Sequence, residues 1–568
     1  MLAVTSSGVR LARFAPPLTL AILLGPLVFG LAGTALPALG YLPELGGKHL
    51  TTDHFSTLTA VPGIARSAGL SMLIGLVTTL VSLAAVAGFV ASDLGTRLFS
   101  RMRRLISPLL SVPHAAAAFG LAFLIAPSGM IMRLLSPWAT GLEQPPDLLI
   151  INDPMGLSMM AGLVAKEIPF LFLVTLAALP QTAHADTMRL GRSLGYGRIS
   201  AFVFLLWPSL YRQIRLAVFA VVAYATSVVD VALILGPHLP PTLPVRLIEW
   251  MNDPALETRF LASAGAVLQL GVTLATLLAW VLIERLGGFL TGLLRDRGLR
   301  LRSDLALRLM ARTVMLASVL AVFGGIAVLA LWSISGLWQF PDALPSGFTL
   351  RSWMRALPQM SDPLATTLLV ALLSTLVALA LTILCLEREY ETGRGRGGNA
   401  LLLIYLPLIV PQISFMFGLQ VLSIWLGVDA SLGALVLSHL VFVLPYVFLS
   451  LSDPWRAQDR RHDQIAAGLG ISRGRALLHI RLPMLTRAIL TAAAVGFSVS
   501  VGQYLPTVLI GAGRLTTVTT EAVALAAGGN RRVIGVYAFM QTLLPFLAFA
   551  IAMGLPGLIF RNRRGLRV

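Results

Sequence analysis

The sequence predicts an all-α, polytopic membrane protein made of two parallel repeats, each with six transmembrane helices. Three observations support this fold class. Hydrophobic residues make up 57% of the 568 residues and charged residues only 12%, and the mean hydropathy is +0.84. Long apolar segments recur along the whole chain. Glycine and proline motifs of one half return in the other at a constant distance. A soluble domain cannot bury that much apolar surface, so the sequence favours a lipid bilayer.

Twelve segments are predicted to cross the membrane, because a transmembrane helix needs about 20 predominantly apolar residues. In the first half they lie at 17–39, 67–92, 106–125, 157–180, 214–236 and 260–283. In the second half they lie at 313–335, 364–386, 400–427, 432–452, 485–510 and 533–560.

The two halves repeat each other. The first-half residues Gly195, Pro208 and Gly236 each have a counterpart 275 residues later (470−195, 483−208 and 511−236), namely Gly470, Pro483 and Gly511. The Phe-Gly-Leu sequence at 119–121 returns at 417–419 with an offset of 298, because the first half has extra residues between its third and fourth spans. Each unit has an even number of spans, so both enter the membrane from the same side and the repeats are parallel.

Domain boundaries follow from this repeat. We predict a first repeat at 1–283, a cytoplasmic linker at 284–312 and a second repeat at 313–568. The linker is rich in arginine and contains the pair Gly287-Gly288, a composition typical of a solvated connecting loop. Two parallel helix bundles enclose a path at their interface, which favours a transporter over other membrane proteins.

The basic residues predict the orientation. Short cytoplasmic loops carry an excess of arginine and lysine, and most of the 43 basic residues fall on one side when both termini are placed in the cytoplasm. Most of the arginines behind the formal net charge of +18 then face the anionic lipid surface of the membrane. Membrane lipid is therefore a predicted partner. Nucleic acid is not a predicted partner, because the arginines are scattered over many loops and are not interleaved with aromatic residues.

Two polar loops, at about 181–213 and 453–487, stand out between the apolar segments. In each loop a glycine, Gly195 or Gly470, precedes a proline, Pro208 or Pro483, by thirteen residues (208−195 and 483−470). Glycine adopts the left-handed conformation that ends a short helix, and proline suits the first turn of the next one. Each loop is therefore predicted to form two short helices that meet at an angle, a shape suited to docking a partner.

This spacing resembles the coupling loop of binding-protein-dependent ABC importer permeases, which reads Glu-Ala-Ala, three residues, Gly, and then Leu-Pro. The glycine and proline match in both loops, whereas Arg189 and Gln464 stand at the glutamate position. The resemblance implies the type I importer permease fold in a bacterial cytoplasmic (inner) membrane. Fused permeases of the thiamine and iron(III) importer class look most similar, and the difference at Arg189 and Gln464 affects any ion pair that the family glutamate makes.

The same resemblance implies that ATP is hydrolysed by other subunits. A phosphate-binding loop needs Gly, four residues, then Gly-Lys-Ser/Thr, and neither Lys48 nor Lys166, the two lysines of the chain, lies in such a motif. We therefore expect a transport subunit that is not an enzyme and needs no cofactor of its own. The partners implied are two copies of a cytoplasmic ATP-binding subunit and a periplasmic substrate-binding protein. With a single cysteine, Cys385, no cysteine metal cluster is predicted.

Ionisable and amide residues within the spans are candidates for the translocation path, since buried charges in membranes are costly and usually functional. Asp230 and Gln503 precede Gly236 and Gly511 in the two halves, and either line the path or form interhelical hydrogen bonds. The pair Lys166-Glu167 can neutralise itself and is interpreted as structural. His439 is interpreted as a packed side chain, and the sequence shows no cluster of His, Tyr and carboxylates of the kind that a ferric site needs.

Other functions stay open at this point. A self-sufficient secondary transporter also uses two parallel six-helix repeats, but its usual basic motif between the second and third spans is not matched at 93–105. A membrane scaffold without transport activity is the other alternative. The substrate does not follow from the sequence: a thiamine-like compound, iron(III) or another small solute delivered by a binding protein all fit.

Overall fold

A computed structural model describes residues 13–298, 300, 302–393, 398–459 and 461–561. The regular secondary structure of these residues consists of helices, apart from three isolated β-bridges in loops, which confirms the all-α class. Ten of the described helices are long and apolar enough to cross a membrane, and two bent helix pairs bring the total to as many as twelve. Twelve spans were predicted, so the two bent pairs complete the expected number.

We number the spans 1 to 12 along the chain. Spans 1 to 6 are Ala15–Ala38, Ile64–Asp93, His114–Leu135, Leu157–Gln181, Arg198–Ser227 and Thr258–Asp296. Spans 7, 8, 10 and 12 are Leu305–Ser333, Arg351–Thr392, Leu432–Arg456 and Arg531–Ile559. Span 9 is the pair Leu401–Ile409 and Gln412–Trp425, bent by 86°, and span 11 is the pair Arg473–Met484 and Thr486–Val501, bent by 75°.

Short helices lie at the ends of the spans and in the loops between them. Those on the predicted cytoplasmic side are Arg97–Ile106, His184–Ser193 and Arg461–Gly468. Those on the opposite side are Asp53–Ala60, Asp230–Leu235, Leu243–Asn252, Leu505–Gly511 and Val518–Ala524. Arg97–Ile106 buries Phe99, Met102 and Ile106 while its arginines are exposed, a pattern typical of a helix at the membrane surface.

The first span of each half packs against the third span of the other half. Gly30 and Gly33 of span 1 meet Gly418 of span 9 so closely that a Cβ added to Gly418 would lie 1.9 Å from the carbonyl oxygen of Gly30. Span 7 meets span 3 in the same way, because a Cβ on Gly120 would lie 2.8 Å from the Cα of Gly325. The repeated Phe-Gly-Leu sequence thus marks the two points where these helix backbones touch, as small residues permit in membranes.

Two arginines hold together the ends of spans 3, 7 and 12 that are predicted to face outward. Arg133 is only 4% exposed and donates hydrogen bonds to the carbonyl oxygens of Ser128 (3.0 Å), Gln339 (2.6 Å) and Asp342 (3.1 Å). Its guanidinium lies 4.9 Å from the ring centre of Trp338. Arg531 of span 12 also donates to Ser128, through its carbonyl and its hydroxyl. Residues from both halves are therefore joined by hydrogen bonds at these span ends.

Asp153 fixes the start of span 4. Its carboxylate accepts hydrogen bonds from the backbone amides of Leu157 (2.7 Å) and Ser158 (2.9 Å) and from the Ser158 hydroxyl (2.9 Å). Burial alone would raise the pKa of Asp153, but the hydrogen bonds from Ser158 and Leu157 outweigh it and lower the pKa below its usual value. A carboxylate at a helix N-terminus is stabilising because it satisfies free N–H groups and meets the positive end of the helix dipole.

Replacing Asp153 with asparagine is expected to lower the stability of the folded protein by about 1 kcal/mol at pH 7. Because the folded-state pKa is depressed, the carboxylate contributes stability above its unfolded pKa of about 3.9 and loses it as the pH falls through the folded value. Thermal unfolding in detergent between pH 3 and 7 measures this. The difference between wild type and Asp153→Asn should shrink below about pH 4, and a difference that stayed constant with pH would contradict the assignment.

Helices occupy most of the predicted linker 284–312. Span 6 continues to Asp296 and span 7 begins at Leu305, so only 297–304 connects the two helices. Glu284, still within span 6, accepts hydrogen bonds from Arg215 of span 5 at 2.7 and 3.0 Å. The start of the linker is therefore a helical extension held against span 5.

Candidate functional site

The two polar loops form turns with the same hydrogen bonds. Gly195 and Gly470 have φ values of 82° and 71°, the left-handed conformation predicted from the sequence. In the first loop the amides of Gly195 and Tyr196 bond to the carbonyls of Arg192 (3.0 Å) and Gly191 (3.1 Å). In the second loop the residues 275 positions later repeat both bonds, at 3.0 and 2.9 Å. Both helices thus end in a Schellman motif.

A wide helical turn precedes the proline in each loop. Residues Phe202–Leu206 and Leu477–Arg481 are π-helical, and Pro208 and Pro483 follow in the first turn of the next helix. Proline lacks an N–H group and its ring crowds the carbonyl four residues earlier, so a wider turn accommodates it. The two loops differ after this point. In the first half the helix that contains the proline continues without a bend to Ser227, the end of span 5. In the second half span 11 bends by 75° just after Met484.

We call the helix His184–Ser193 with its turn to Pro208 the first docking region, and Arg461–Gly468 with its turn to Pro483 the second. Arg189 and Gln464, which replace the family glutamate, are both exposed. Arg189 forms an ion pair at 2.5 Å with Asp186 of its own helix. An exposed pair within one helical turn contributes little stability, so Arg189 leaves its helix surface free for a partner.

Each docking region also exposes two aliphatic side chains at equivalent positions. Leu190 and Leu194 are 58% and 47% exposed in the first, and Ile465 and Leu469, 275 residues later, are 63% and 73% exposed in the second. Residues four apart lie on one face of a helix. These four residues were not among the predicted site residues. Their spacing i, i+4 on otherwise polar helices was the signal that could have identified them.

The first docking region is held by the segment between the two halves. The amide of Gly197 and the hydroxyl of Ser200 both donate to the carbonyl of Arg300, at 3.2 and 2.9 Å. The buried carboxylate of Asp304 accepts a hydrogen bond from the amide of Ile199 at 2.9 Å. Arg300 and Asp304 of the connecting segment therefore contact the first docking region, beyond what the composition of a solvated loop suggested.

Charged contacts extend this connection to spans 2 and 7. Arg198 donates to the carbonyl of Ser92 at 2.7 Å. The neighbouring Asp93 forms a two-bond ion pair with Arg312 of span 7, at 2.8 and 2.9 Å. The first docking region thus contacts the end of span 2 in its own half, and the end of span 2 is in turn paired with the beginning of span 7 in the other half.

A buried arginine holds the second docking region instead. Arg481 is 6% exposed and forms ion pairs with Glu387 of span 8 and, at 2.6 Å, with Asp463 of the docking helix. Its guanidinium lies 3.9 Å from the ring centre of Tyr390, whose hydroxyl donates to Asp463. Leu206 stands at the equivalent position of the first half (481−275). The two docking regions have the same shape but different supports.

Both halves have a helix break at the same place in the repeat, and Asp230 and Gln503 lie at these breaks, two residues out of register with each other (230+275 = 505). Span 5 ends at Ser227, Val228 is extended, and a new helix begins at Asp230. Span 11 ends at Val501, and the next helix begins at Leu505, just after Gln503. The segment predicted as one helix at 214–236 is therefore two helices, and the prediction of a continuous span there is wrong. Broken helices near bilayer depth are typical of substrate paths.

Polar side chains from both halves gather around this break. His114, at the start of span 3, contacts Glu167 of span 4 at 3.2 Å and packs on Tyr224 of span 5 with ring centres 4.6 Å apart. Asp230 also interacts electrostatically with His114 and Tyr504, and Tyr446 with Glu167. We call these six residues the polar cluster: His114, Glu167, Tyr224, Asp230, Tyr446 and Tyr504.

The polar cluster was not predicted from the sequence, which shows no cluster of His, Tyr and carboxylates of the kind that a ferric site needs. These residues are far apart in the sequence, and only helix packing brings them together. Within the described part of the chain, however, no group of three or more His, Cys, Asp and Glu side chains is close enough to hold a metal ion. The cluster is thus polar and aromatic rather than a metal centre of that kind.

Lys166 lies beside the cluster and is fixed by other groups. Its ammonium donates to the carbonyl oxygens of Leu109 (2.8 Å) and Leu110 (3.1 Å) and lies near the Glu167 carboxylate. These carbonyls precede the break at Pro113 between the turn 107–111 and span 3. Lys166 therefore stabilises that break, as its structural interpretation predicted, whereas Glu167 faces His114.

His439 is a packed side chain, as predicted. It is 1% exposed, and its ring nitrogens contact the hydroxyls of Ser500 (2.8 Å) and Thr507 (3.0 Å). Both ring nitrogens are satisfied by neutral hydroxyls between spans 10 and 11 and the helix Leu505–Gly511. His439 contributes interhelical hydrogen bonds and no exposed ligand.

The chain combines two six-span halves, a pair of equivalent docking regions on one face and a polar break between the halves. This combination defines a membrane transport permease. The chain is 31% identical to the inner membrane ABC transporter permease protein YnjC of Escherichia coli (strain K12) over 526 residues, which cover 91% of this chain and 93% of that protein. The chain belongs to the ABC transporter permeases, and it is a multi-pass inner-membrane protein. No protein-family model matches the sequence.

Shorter permeases match one part of the chain. The putative 2-aminoethylphosphonate transport system permease protein PhnV of Salmonella paratyphi A is 28% identical over 220 residues, 38% of this chain and 82% of PhnV. The molybdenum transport system permease protein ModB of Mycobacterium bovis is 27% identical over 171 residues, 27% of this chain and 64% of ModB. Since 220 residues are 82% of PhnV, that permease is about as long as one half of this chain.

Proposed function

We propose that the chain forms the translocation path of an ABC importer and couples it to ATP hydrolysis on two separate ATPase subunits, one beneath each docking region. The observation that carries this proposal is the pair of exposed aliphatic side chains at equivalent positions of both docking helices, Leu190 with Leu194 and Ile465 with Leu469. Two equivalent apolar contacts on one face suit two copies of the same partner.

Each docking region is built to transmit movement. The Schellman turn ends the docking helix, and a few residues later the next helix begins, passes through the π-helical turn and leads into the rest of span 5 or span 11. A partner shifts the permease between conformations only where its contact differs in free energy between them. Closure of the ATPase pair on ATP would change the distance between the docking helices, and spans 5 and 11 would move with them.

The path runs between repeats 1–283 and 313–568, with 284–312 as the cytoplasmic connection and both termini in the cytoplasm. Asp230 and Gln503 line this path at the helix breaks of the two halves. A periplasmic binding protein delivers the substrate, and ATP is bound only by the partner subunits. The solutes named for PhnV and ModB, 2-aminoethylphosphonate and molybdenum, widen the range of candidates beyond thiamine-like compounds and iron(III).

Copurification tests the docking assignment. The tagged protein is extracted from membranes in detergent, its partners are identified by mass spectrometry, and the eluate is assayed for ATPase activity. Replacing Ile465 and Leu469 together with aspartate is expected to reduce the ATPase recovered by at least about half, because two buried apolar contacts become unpaired charges.

A matched control uses an aliphatic residue exposed on the other side. Leu239 is 87% exposed in the loop after span 5, and Leu239→Asp should leave ATPase recovery unchanged. Equal recovery from all three proteins would show that the second docking region does not bind the ATPase. A protein that purifies without any ATPase would favour the secondary transporter.

Gly470→Val is expected to uncouple ATP hydrolysis from transport without preventing assembly. Gly470 has a φ of 71° and nothing within 4 Å of an added Cβ, so the cost is the left-handed backbone strain of about 1–3 kcal/mol and not a clash. Substrate uptake and substrate-stimulated ATPase activity measure coupling. Gly468→Val, two residues earlier at the end of the docking helix and without a positive φ, is the control and should retain coupling. Full coupling in Gly470→Val would contradict the role of this turn.

A further inference from the structure

We infer that Gln269 and Gln541 are positioning residues of the translocation path, each of which holds the helix break of its half in shape. The inference rests on the proposed function, because that proposal places the path at these breaks. Gln269 lies in span 6 and Gln541 in span 12, the sixth spans of the two halves. Both residues are fully buried, at 0% exposure, and a buried amide is costly unless it is hydrogen-bonded.

Each break leaves a buried carbonyl group without a partner inside its own helix. The helices end at Ser227 in span 5 and at Val501 in span 11, and carbonyls in the last turn of a helix lack an N–H partner within that helix. Thr226 and Val501 occupy equivalent positions in these last turns (226+275 = 501). Each is 1% exposed, so other parts of the protein must supply the hydrogen-bond donors.

A glutamine of the sixth span supplies the donor in both halves. The side-chain nitrogen of Gln269 donates to the carbonyl of Thr226 at 3.3 Å. The side-chain nitrogen of Gln541 donates to the hydroxyl of Thr519 at 2.9 Å, and that hydroxyl donates to the carbonyl of Val501. The equivalent carbonyls of the two halves are thus satisfied by the same residue type, directly in the first half and through a threonine in the second.

A second pair of hydrogen bonds fixes the chain beyond each break. The amide of Leu243, at the start of a helix in the first half, donates to the hydroxyl of Ser71 of span 2 at 3.0 Å. The equivalent amide of Val518 (243+275) donates to the hydroxyl of Thr367 of span 8, also at 3.0 Å. Spans 2 and 6 therefore fix the break of span 5, and spans 8 and 12 fix the break of span 11.

The glutamine hydrogen bonds compete with a continuous helix. In an unbroken α-helix the carbonyl of Thr226 would accept from the amide of Asp230, four residues later. The carbonyl of Val501 would accept from the amide of Leu505 in the same way. Both carbonyls accept from side chains instead, so the glutamines favour the broken form. The break in turn sets where Asp230 and Gln503 lie, and the glutamines act on the path through it.

One substitution in each half tests whether the effect is local. Gln541→Leu removes the amide donor and keeps a side chain of similar size. Amide hydrogen exchange at 502–507, measured by mass spectrometry on the protein in lipid nanodiscs, is expected to become about tenfold faster, because the break loses a buried hydrogen bond. Exchange at 228–233 should stay unchanged. Gln269→Leu should give the reverse pattern, and equal acceleration at both breaks, or none, would overturn the inference.

Thr519 separates the hydrogen bond from the packing. Thr519→Val removes the hydroxyl that links Gln541 to Val501 and keeps the shape of the side chain, whereas Thr519→Ser keeps the hydroxyl. Exchange at 502–507 should be about tenfold faster in Thr519→Val and within about twofold of wild type in Thr519→Ser. Adding Gln541→Leu to Thr519→Val should change little further, because both act in one network. Equal exchange in the valine and serine variants would refute the inference even where Gln541→Leu does not fold.

Thiol labelling measures whether the break positions the path. In a Cys385→Ala background, which removes the only native cysteine, Gln503→Cys is reacted in membranes with 2-sulfonatoethyl methanethiosulfonate. Ser346→Cys, in an exposed loop, gives the reference rate. The relative rate at Gln503→Cys is expected to rise at least about threefold with Thr519→Val, because the break opens more often, and to stay unchanged with Thr519→Ser.

The outcomes of labelling distinguish this inference from the proposed function. Faster hydrogen exchange in Thr519→Val with unchanged labelling of Gln503→Cys would mean that the glutamines support the fold without positioning the path. That result would overturn the inference and leave the proposed function intact. No reaction at Gln503→Cys in any background, with normal reaction at Ser346→Cys, would overturn the proposed path and the inference together.

Discussion

Replacing Arg481 with methionine is expected to release the second docking region, including the first helix of span 11, and to stop transport while the other spans stay folded. The substitution leaves the Glu387 and Asp463 carboxylates without their shared cation in a site where Arg481 is 6% exposed. Breaking a buried ion pair from one side costs about 3–5 kcal/mol, which exceeds the stability of a local docking element. Hydrogen exchange of residues 461–484 should rise at least tenfold, and substrate-stimulated ATPase activity should fall to the basal rate.

Two further variants separate charge from packing. Arg475→Met changes an exposed arginine of the same region and should alter stability by no more than about 0.5 kcal/mol. The triple variant Arg481→Met, Glu387→Gln, Asp463→Asn removes the unpaired charges and should recover part of the protection, because apolar or neutral replacements of a whole buried ion pair are often tolerated. Equal exchange in Arg481→Met and Arg475→Met would mean that Arg481 does not hold the docking region.

Gly418→Ala is expected to separate span 1 from span 9 and to lower the yield of folded protein severely. The added methyl group would lie 1.9 Å from the Gly30 carbonyl oxygen and 2.6 Å from the Thr34 amide nitrogen, and backbone atoms cannot rotate away. The helices must move apart, which also weakens the 3.0 Å hydrogen bond from the Gly418 amide to the Thr34 hydroxyl. We expect a loss of about 3 kcal/mol, at the upper end of overpacking effects, measured by thermal unfolding in detergent.

Gly25→Ala is the matched control for this prediction. Gly25 lies in the same span 1, and nothing is within 4 Å of its added Cβ, so alanine there should be neutral or slightly stabilising. Gly120→Ala, at the equivalent contact of spans 3 and 7, should destabilise less than Gly418→Ala because its nearest atom would be at 2.8 Å. Similar melting temperatures for Gly418→Ala and Gly25→Ala would refute the close contact.

Local constraints explain what could be predicted from the sequence. Gly195 and Gly470 end helices in the left-handed conformation because glycine has no Cβ, and Pro208 and Pro483 begin helices because proline has no N–H group. Apolar length predicted the spans in the same way. These properties belong to single residues or short segments, so they hold before any tertiary contact forms.

Contacts between distant segments could not be predicted in this way. His114 and Tyr446 join one cluster although they are more than 300 residues apart (446−114 = 332), and nothing in either neighbourhood indicates the other. The bonds from Gly197 and Ser200 to Arg300 use backbone groups that every residue carries. No proline or glycine lies at the break after Ser227. The helix is therefore interrupted by packing around Asp230 and not by the helix propensity of the local residues.

The crossing of the first spans has a consequence for the synthesis of the protein. Span 3 is complete early in translation, yet the helix that covers Gly120 is span 7, which begins at Leu305. Span 1 is made first of all, but its partner Gly418 emerges after about 400 residues. The amino-terminal half inserted alone would therefore leave two helix surfaces facing lipid until the carboxy-terminal half enters the bilayer. Because both halves belong to a single polypeptide, the missing helices are always made after these surfaces and in a one-to-one ratio with them. The bundle can therefore close without first binding a second chain.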